Sequence, residues 1–178
     1  KNIPVRILNT LNPDSAGTLI IEKTDNTETI RAIACKKDQT AVFINSARML
    51  MISGFLAQAF NIFAKYDTSI DLVTTSEVSV SLTIDNLEKL PQIQEELKQL
   101  GDVTVMNDLA IIAIVGHNFR GESGIGNRIF KALANVNVIM ISGGASDISI
   151  SLVVSNQDAD KAIKLLHAEF FAMAAVHS

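Results

Sequence analysis

The sequence predicts an α+β protein built of two ferredoxin-like βαββαβ units, each an antiparallel sheet with helices on one face. Three observations predict it. First, 48% of the 178 residues are hydrophobic and 19% are charged, which suffices for a sizeable core in one large domain or two small ones. Second, the apolar spacing alternates along the chain between the strand period of two and the helical period of about 3.6. Third, the chain repeats itself. Displaced by 70 residues, positions 41–84 lie over 111–154 without a gap. Ile44 meets Ile114, Gly54 meets Gly124, Phe60 meets Phe130, Ala64 meets Ala134, Ser76 meets Ser146, and Ser79-Val80-Ser81-Leu82 meets Ser149-Ile150-Ser151-Leu152. A solenoid needs about three or more repeats, so two copies read as two small domains.

The elements follow in order. Residues 40–45 are a β-rich run, and a loop leads through Met49, Met51 and Ser53 to Gly54. Phe55, Ala59, Ile62, Phe63 and Tyr66 recur at helical spacing. Residues 69–75 read as a second strand. Val78, Val80, Leu82 and Ile84 alternate with polar residues, as a half-buried strand does. A second helix carries Leu87, Leu90, Ile93, Leu97 and Leu100 on one stripe and stops at Gly101; Val103 and Val105 mark the fourth strand. In the second copy, residues 109–115, 138–142 and 148–154 are strands. Ile125, Ile129, Leu133 and Val136 stripe one helix, and residues 158–170 form another with Ala162, Ile163, Leu166 and Phe170. The tail, residues 172–178, is too short and Ala-rich to supply the closing strand. The run 29–35, with Ile30, Ala32 and Ala34 on one face, is the expected substitute. The first unit (38–108) would then be inserted in the second (29–37 plus 109–178). Residues 1–28, with turn signals at Asn12-Pro13-Asp14 and Gly17, stand outside the repeat. They and the missing initial Met suggest a piece of a longer chain.

Composition narrows function. Fifteen Lys and Arg against nineteen Asp and Glu give a net charge of −4; Trp is absent and Tyr66 is the single Tyr. This opposes nucleic acid as partner, since such surfaces combine basic patches with stacking aromatics. No apolar run reaches membrane-spanning length. One cysteine, Cys35, excludes an internal disulfide framework, and His117, His167 and His177 show no metal-ligand spacing. No catalytic set and no metal site is expected. Gly121, Gly124 and Gly126 lack the Lys-Ser/Thr ending of a phosphate loop and read as a flexible loop entering a helix. Cys35, beside Lys36 and Lys37, reads as a buried structural thiol rather than a reactive one.

The sharper candidate is the first strand-to-helix loop. Gly54, Phe55 and Leu56 open a helix whose free N–H groups favour a carboxylate. Asp71 sits in the apolar run Ile70-Asp71-Leu72-Val73, where an acid needs a partner. Two readings stand: the acid pairs with a ligand ammonium, which with the loop would suit a basic amino acid, or it points to solvent from an edge strand. The 70-residue displacement sets Asp71 over Ile141, so only the first copy carries the acid.

With these residues in hand, Gly54-Phe55-Leu56-Ala57 and the run from Ser69-Ile70-Asp71-Leu72-Val73 through Thr74-Thr75-Ser76-Glu77-Val78 to Ser79-Val80-Ser81-Leu82-Thr83 resemble the regulatory region of aspartokinase, in particular its lysine-sensitive monofunctional type. Met140-Ile141-Ser142-Gly143-Gly144-Ala145-Ser146 matches as well, and Pro4-Val5-Arg6, Asn9-Thr10, Asn12-Pro13 and Gly17-Thr18 resemble the end of its kinase domain. The resemblance implies two ACT domains, the first inserted in the second, that bind an end-product amino acid and inhibit aspartate phosphorylation. It implies a homodimer through the first units, with the effector, lysine, at their interface. Carried over by position, the effector site comprises Met49, Gly54, Phe55, Leu56, Ser69, Ile70, Asp71, Thr75, Ser76 and Glu77. Backbone at Gly54, Phe55 and Leu56 would hold the carboxylate and Asp71 the lysine ammonium. Relatives carry Ser where this chain has Ile52, and threonine-sensitive relatives use the same loop. No cofactor is expected in this region; ATP and magnesium are implied for the kinase domain, and a cytoplasmic or plastid location for the whole. The alternative is a free-standing ACT-repeat sensor or dimerisation module.

Overall fold

Two strands run much farther than the sequence periods suggest, and they organise the molecule. The computed structural model describes residues 5–7, 18–20, 29–51, 53–143 and 147–171. Expectations for residues 12–14, Gly17, Ile52, 144–146 and 172–178 lie outside the described residues. A small antiparallel pair, β1 (Val5–Ile7) with β2 (Thr18–Ile20), stands apart. The rest is β3 (Ile30–Asn45), a 3-10 turn (Ala47–Leu50), α1 (Phe55–Lys65), β4 (Leu72–Thr75), β5 (Ser79–Ile84) and α2 (Leu90–Leu97), then β6 (Asp102–Gly116), α3 (Ile125–Ala132), β7 (Met140–Ser142), β8 (Ser149–Ser155) and α4 (Asn156–Phe171). The strands form one six-stranded antiparallel sheet in the order β4-β5-β3-β6-β8-β7.

Sequence reading separates residues 29–35 from 40–45 and 103–105 from 109–115. The structure joins each pair into one long strand. The join is a bulge: the β3–β6 register shifts between Lys36 and Ala41, and Asp38 and Asp108, 70 residues apart, both adopt φ of 58°. Asp tolerates that left-handed backbone better than most residues. Alternation breaks at the bulge, so the two halves looked like separate strands. Ile30 to Lys36 pair with Ile111 to Gly116, while Gln39 to Asn45 pair with Asp102 to Leu109. Each half thus lies beside a different set of neighbours: β5 and β4 on one side, β8 and β7 on the other.

Each half has its own core beneath its helices. Val42, Ile44, Phe55, Ala59, Phe63, Leu82, Ile93 and Leu97 pack together in the first. Ile112, Ile114, Ile125, Ile129, Leu133, Leu152, Ala162 and Leu166 pack together in the second. Burying one such Leu or Ile stabilises by about 1.5–3 kcal/mol. On the helix-free face a third, smaller cluster joins Ala41, Leu109, Ile111, Met140 and Val153, with Leu72 and Ile139 against it. The sheet curls around this cluster, so the outer strands β4 and β7 approach each other and Ser142 Oγ donates to Val73 O at 3.1 Å.

Several boundaries differ from the sequence reading. The second helix begins at Leu90, not Leu87, which is exposed. Pro91 sets this start, because a residue without an N–H fits only the first turn. The second strand begins at Leu72 rather than residue 69. The counterpart of Asp71 is also corrected. Asp71 N donates to Thr83 O, and Ile139 N donates to Val153 O. Thr83 and Val153 are 70 residues apart but Asp71 and Ile139 are 68, because the loop after α3 is two residues shorter. Ile139, not Ile141, therefore occupies Asp71's place in the second half.

Candidate functional site

The candidate residues fall into two groups at opposite ends of the first half. The upper group surrounds the start of α1. Gly54 takes φ of 83°, a left-handed conformation that side chains resist, and Gln58 N donates to Gly54 O at 3.0 Å as the helix begins. Gly124 repeats this at α3 with φ of 85°. Phe55 is buried in the core, Met49 packs on the core's margin, and Leu56 faces outward. The β4–β5 turn lies at the same end. Thr75 pairs with Val80, Ser76 N donates to Ser79 O at 2.9 Å, and the Ser76 and Ser79 hydroxyls lie 2.6 Å apart. Glu77 is exposed. Ser46 N donates to Val78 O at 2.8 Å and ties this turn to the 3-10 helix. Met51, Leu56 and Val78 make this end unusually apolar for exposed surface.

The lower group surrounds Asp71. Ser69 is exposed and Ile70 packs on the core. Because β4 runs parallel to the second half of β3, Asp71 lies level with Ala41, whereas Gly54 lies beyond Asn45. Four ladder steps separate those levels, roughly 13 Å of strand. Within one chain the carboxylate-binding loop and the acid do not meet.

Asp71 does not simply face solvent. Lys36 Nζ donates to Asp71 Oδ2 at 2.7 Å and to Asp85 Oδ2 at 2.8 Å. The Asp71 side chain is the more covered acid, 27% exposed against 48% for Asp85. The two carboxylates, Asp71 foremost, raise the Lys36 ammonium above its ordinary pKa, and Lys36 holds Asp85 below the ordinary carboxylate range. Sequence reasoning missed Lys36 and Asp85 as members of this site. The signal was present: the repeat sets Lys36 over Met106 and Asp85 over Ser155, so all the charges belong to the first copy.

Cys35 is exposed, which corrects the expectation of a buried thiol. It sits in the first half of β3, which forms the outer strand of the second half's sheet. Partial desolvation still pushes its thiol pKa up, outweighing nearby Lys37, which pairs with Asp160 at 2.8 Å. Two hollows open near the upper group. One of about 350 Å³ runs between Ala47, Arg48, Gln99 and Gly101 and contains no candidate residue; one of about 100 Å³ includes only Phe55 of the candidates. Both are less informative than the charged trio, because neither brings the candidate residues together. Among the described residues no helix is long and apolar enough to cross a membrane.

Comparison with known proteins agrees with this architecture. Residues 112–170 match the ACT domain family. The chain is 35% identical to the lysine-sensitive aspartokinase 3 of Escherichia coli over 178 aligned residues, covering 96% of this chain and 40% of that protein. It superposes with a TM-score of 0.84 on the E. coli aspartokinase III structure in complex with lysine and aspartate, at 36% identity, covering 96% of this chain and 39% of that one. A C-terminal regulatory domain of aspartate kinase from Porphyromonas gingivalis matches at 40% identity and a TM-score of 0.70, covering 81% of this chain and 99% of that one. The chain thus spans about two-fifths of the length of the full E. coli enzyme, and the part it spans is the regulatory one. With its repeated βαββ architecture and shared long strands, the chain belongs to the aspartokinase family, as an ACT-domain regulatory region.

Proposed function

We propose that this region binds an end-product amino acid with a cationic side chain, lysine, and that binding inhibits aspartate phosphorylation by the kinase part of the protein. The observation that carries the reading is the Asp71 carboxylate accepting from a lysine ammonium at 2.7 Å. Lys36 Nζ is the same chemical group that an effector lysine would present, so the acid's surroundings suit that ligand. The lysine-bound E. coli relative supports the choice of effector.

The separation of Gly54 from Asp71 supports a site shared between two copies. A two-fold axis beside β4 and perpendicular to its strands reverses strand direction, which brings Asp71 of one protomer toward the Gly54 loop of its partner. The loop N–H groups would then take the effector's carboxylate and Asp71 its side-chain ammonium. Met51, Leu56 and Val78, exposed at the loop end, would be covered by the second copy. Thr75, Ser76 and Glu77 would border the ligand, with Met49, Phe55, Ser69 and Ile70 shaping the loop and strand entry. ATP and magnesium belong to the phosphorylation step and not to this region. The whole protein would work in the cytoplasm or a plastid.

Calorimetric titration of lysine, threonine and methionine into the chain and into Asp71→Asn tests this reading, with sedimentation reporting the oligomer. Lysine binding that disappears in the variant, on a dimer, is expected. Threonine binding in place of lysine refutes the effector, and lysine binding undiminished in Asp71→Asn refutes the role of the acid.

A further inference from the structure

The trio at the foot of β4 joins two parts of the molecule. Lys36 stands on the first half of β3, paired with Ile111 of β6 on the second unit's side of the bulge. Asp71 and Asp85 flank β4 and β5 on the first unit's side. The fold does not require these charges: at the corresponding places the second half has Met106, Ile139 and Ser155. An ammonium on Asp71 with a second carboxylate within its reach is a particular arrangement. It provides one cation with two alternative anions.

We propose that Lys36 is a built-in competitor for the side-chain subsite at Asp71, and that an incoming ammonium-bearing effector transfers it to Asp85. The proposal rests on the reading of Asp71 as the ammonium subsite and adds how that subsite is regulated. Three observations carry it. Lys36 Nζ makes the contact an effector ammonium would need, at 2.7 Å. Its bond to Asp85, at 2.8 Å, is already formed, so the displaced ammonium is not left without a partner. The side chains are 47%, 27% and 48% exposed for Lys36, Asp71 and Asp85, and pairs this open to water are weak enough for a ligand to exchange. Because Lys36 and Asp71 lie on opposite sides of the bulge, the exchange removes one tie between the two units. Effector binding at one end would thereby be felt at the junction.

The test is a lysine titration of the 178-residue chain as wild type, Lys36→Met, Asp85→Asn, the double variant and Asp71→Asn. Lys36→Met is expected to tighten lysine binding about 2- to 5-fold, the range that one exposed pair commands. It should leave norleucine, which lacks the ammonium, unaffected. Asp85→Asn is expected to weaken lysine binding by a similar factor when Lys36 is present and by clearly less in Lys36→Met. Equal weakening in both backgrounds refutes the transfer to Asp85, because a general loss of negative potential acts without regard to Lys36. Unchanged or weaker lysine binding in Lys36→Met, with binding lost in Asp71→Asn, refutes the competitor while keeping the subsite. Lysine binding retained in Asp71→Asn, or absent from every variant, refutes the subsite itself. Thermal unfolding of each variant separates these outcomes from loss of fold.

Discussion

If the two halves share β3 and β6, a defect in either core should weaken the whole described sheet. Leu82 and Leu152 test this, since the repeat places one over the other. Both are fully buried, Leu82 between Val42 and Val73 and Leu152 between Ile112 and Ile141. Truncation to Ala removes three carbons. At about 0.8 kcal/mol for each, the transfer loss is about 2.4 kcal/mol, and the cavity left behind raises the total to about 3–5 kcal/mol. For a chain of this size the midpoint should fall by about 2–4 °C for each kcal/mol. Urea unfolding followed by circular dichroism is the assay, with the slope of free energy on denaturant checked for constancy. Leu82→Ala and Leu152→Ala should each move one common transition by similar amounts. A variant that unfolds in two stages, one at the wild-type midpoint, would refute the reasoning. It would mean that the long strands join the halves without coupling them.

Other outcomes follow from the same geometry. Lys36 holds Asp85 below its ordinary pKa, so the stabilisation is fully present above roughly pH 4 and is lost as pH falls through the lowered folded value. Lys36→Met should therefore flatten the acid limb of a pH–stability curve, and an unchanged limb would count against the pair. Gly54→Ala should cost about 1–2 kcal/mol, since its φ is left-handed while the space around it is open. Gly126→Ala, in α3 with open space and no such φ, should instead gain up to about 1 kcal/mol in thermal unfolding. Cys35 is exposed with a raised pKa, so a thiol reagent should label it without denaturant, slowly at pH 7 and faster as pH rises. Labelling only after unfolding would contradict its placement.

Much of this architecture was legible because it is written twice. The alternation at Val80, Leu82 and Ile84 and the stripe at Phe55, Ala59 and Phe63 each carry a single period, and each stripe is buried as read. The register of the second strand was less legible. A gapless displacement matched Asp71 to Ile141, but two residues are missing from the loop after α3, and loop length leaves no mark on hydrophobic spacing. The bulges at Asp38 and Asp108 were also hidden, since an extra residue interrupts the alternation that identifies a strand. Asp71 was recognised as an acid in apolar company. Its partner was not, because Lys36 is 35 positions away and reaches it only through the sheet order.

The shared strands also set a schedule for synthesis. Ile30 pairs with Gly116, so the first half of β3 leaves the ribosome long before its partner exists. At about 5–20 residues per second, the intervening 86 residues take roughly 4–17 s to appear. During that interval the β-capable stretch from Ile30 has no native neighbour and is open to wrong pairings. Lys36, Lys37 and Asp38 at its end place charge on that waiting edge, a common guard against association. The nascent chain can complete its inserted half while the outer half stays open, so its last-made segment, through β8 and α4, closes over one of the first made.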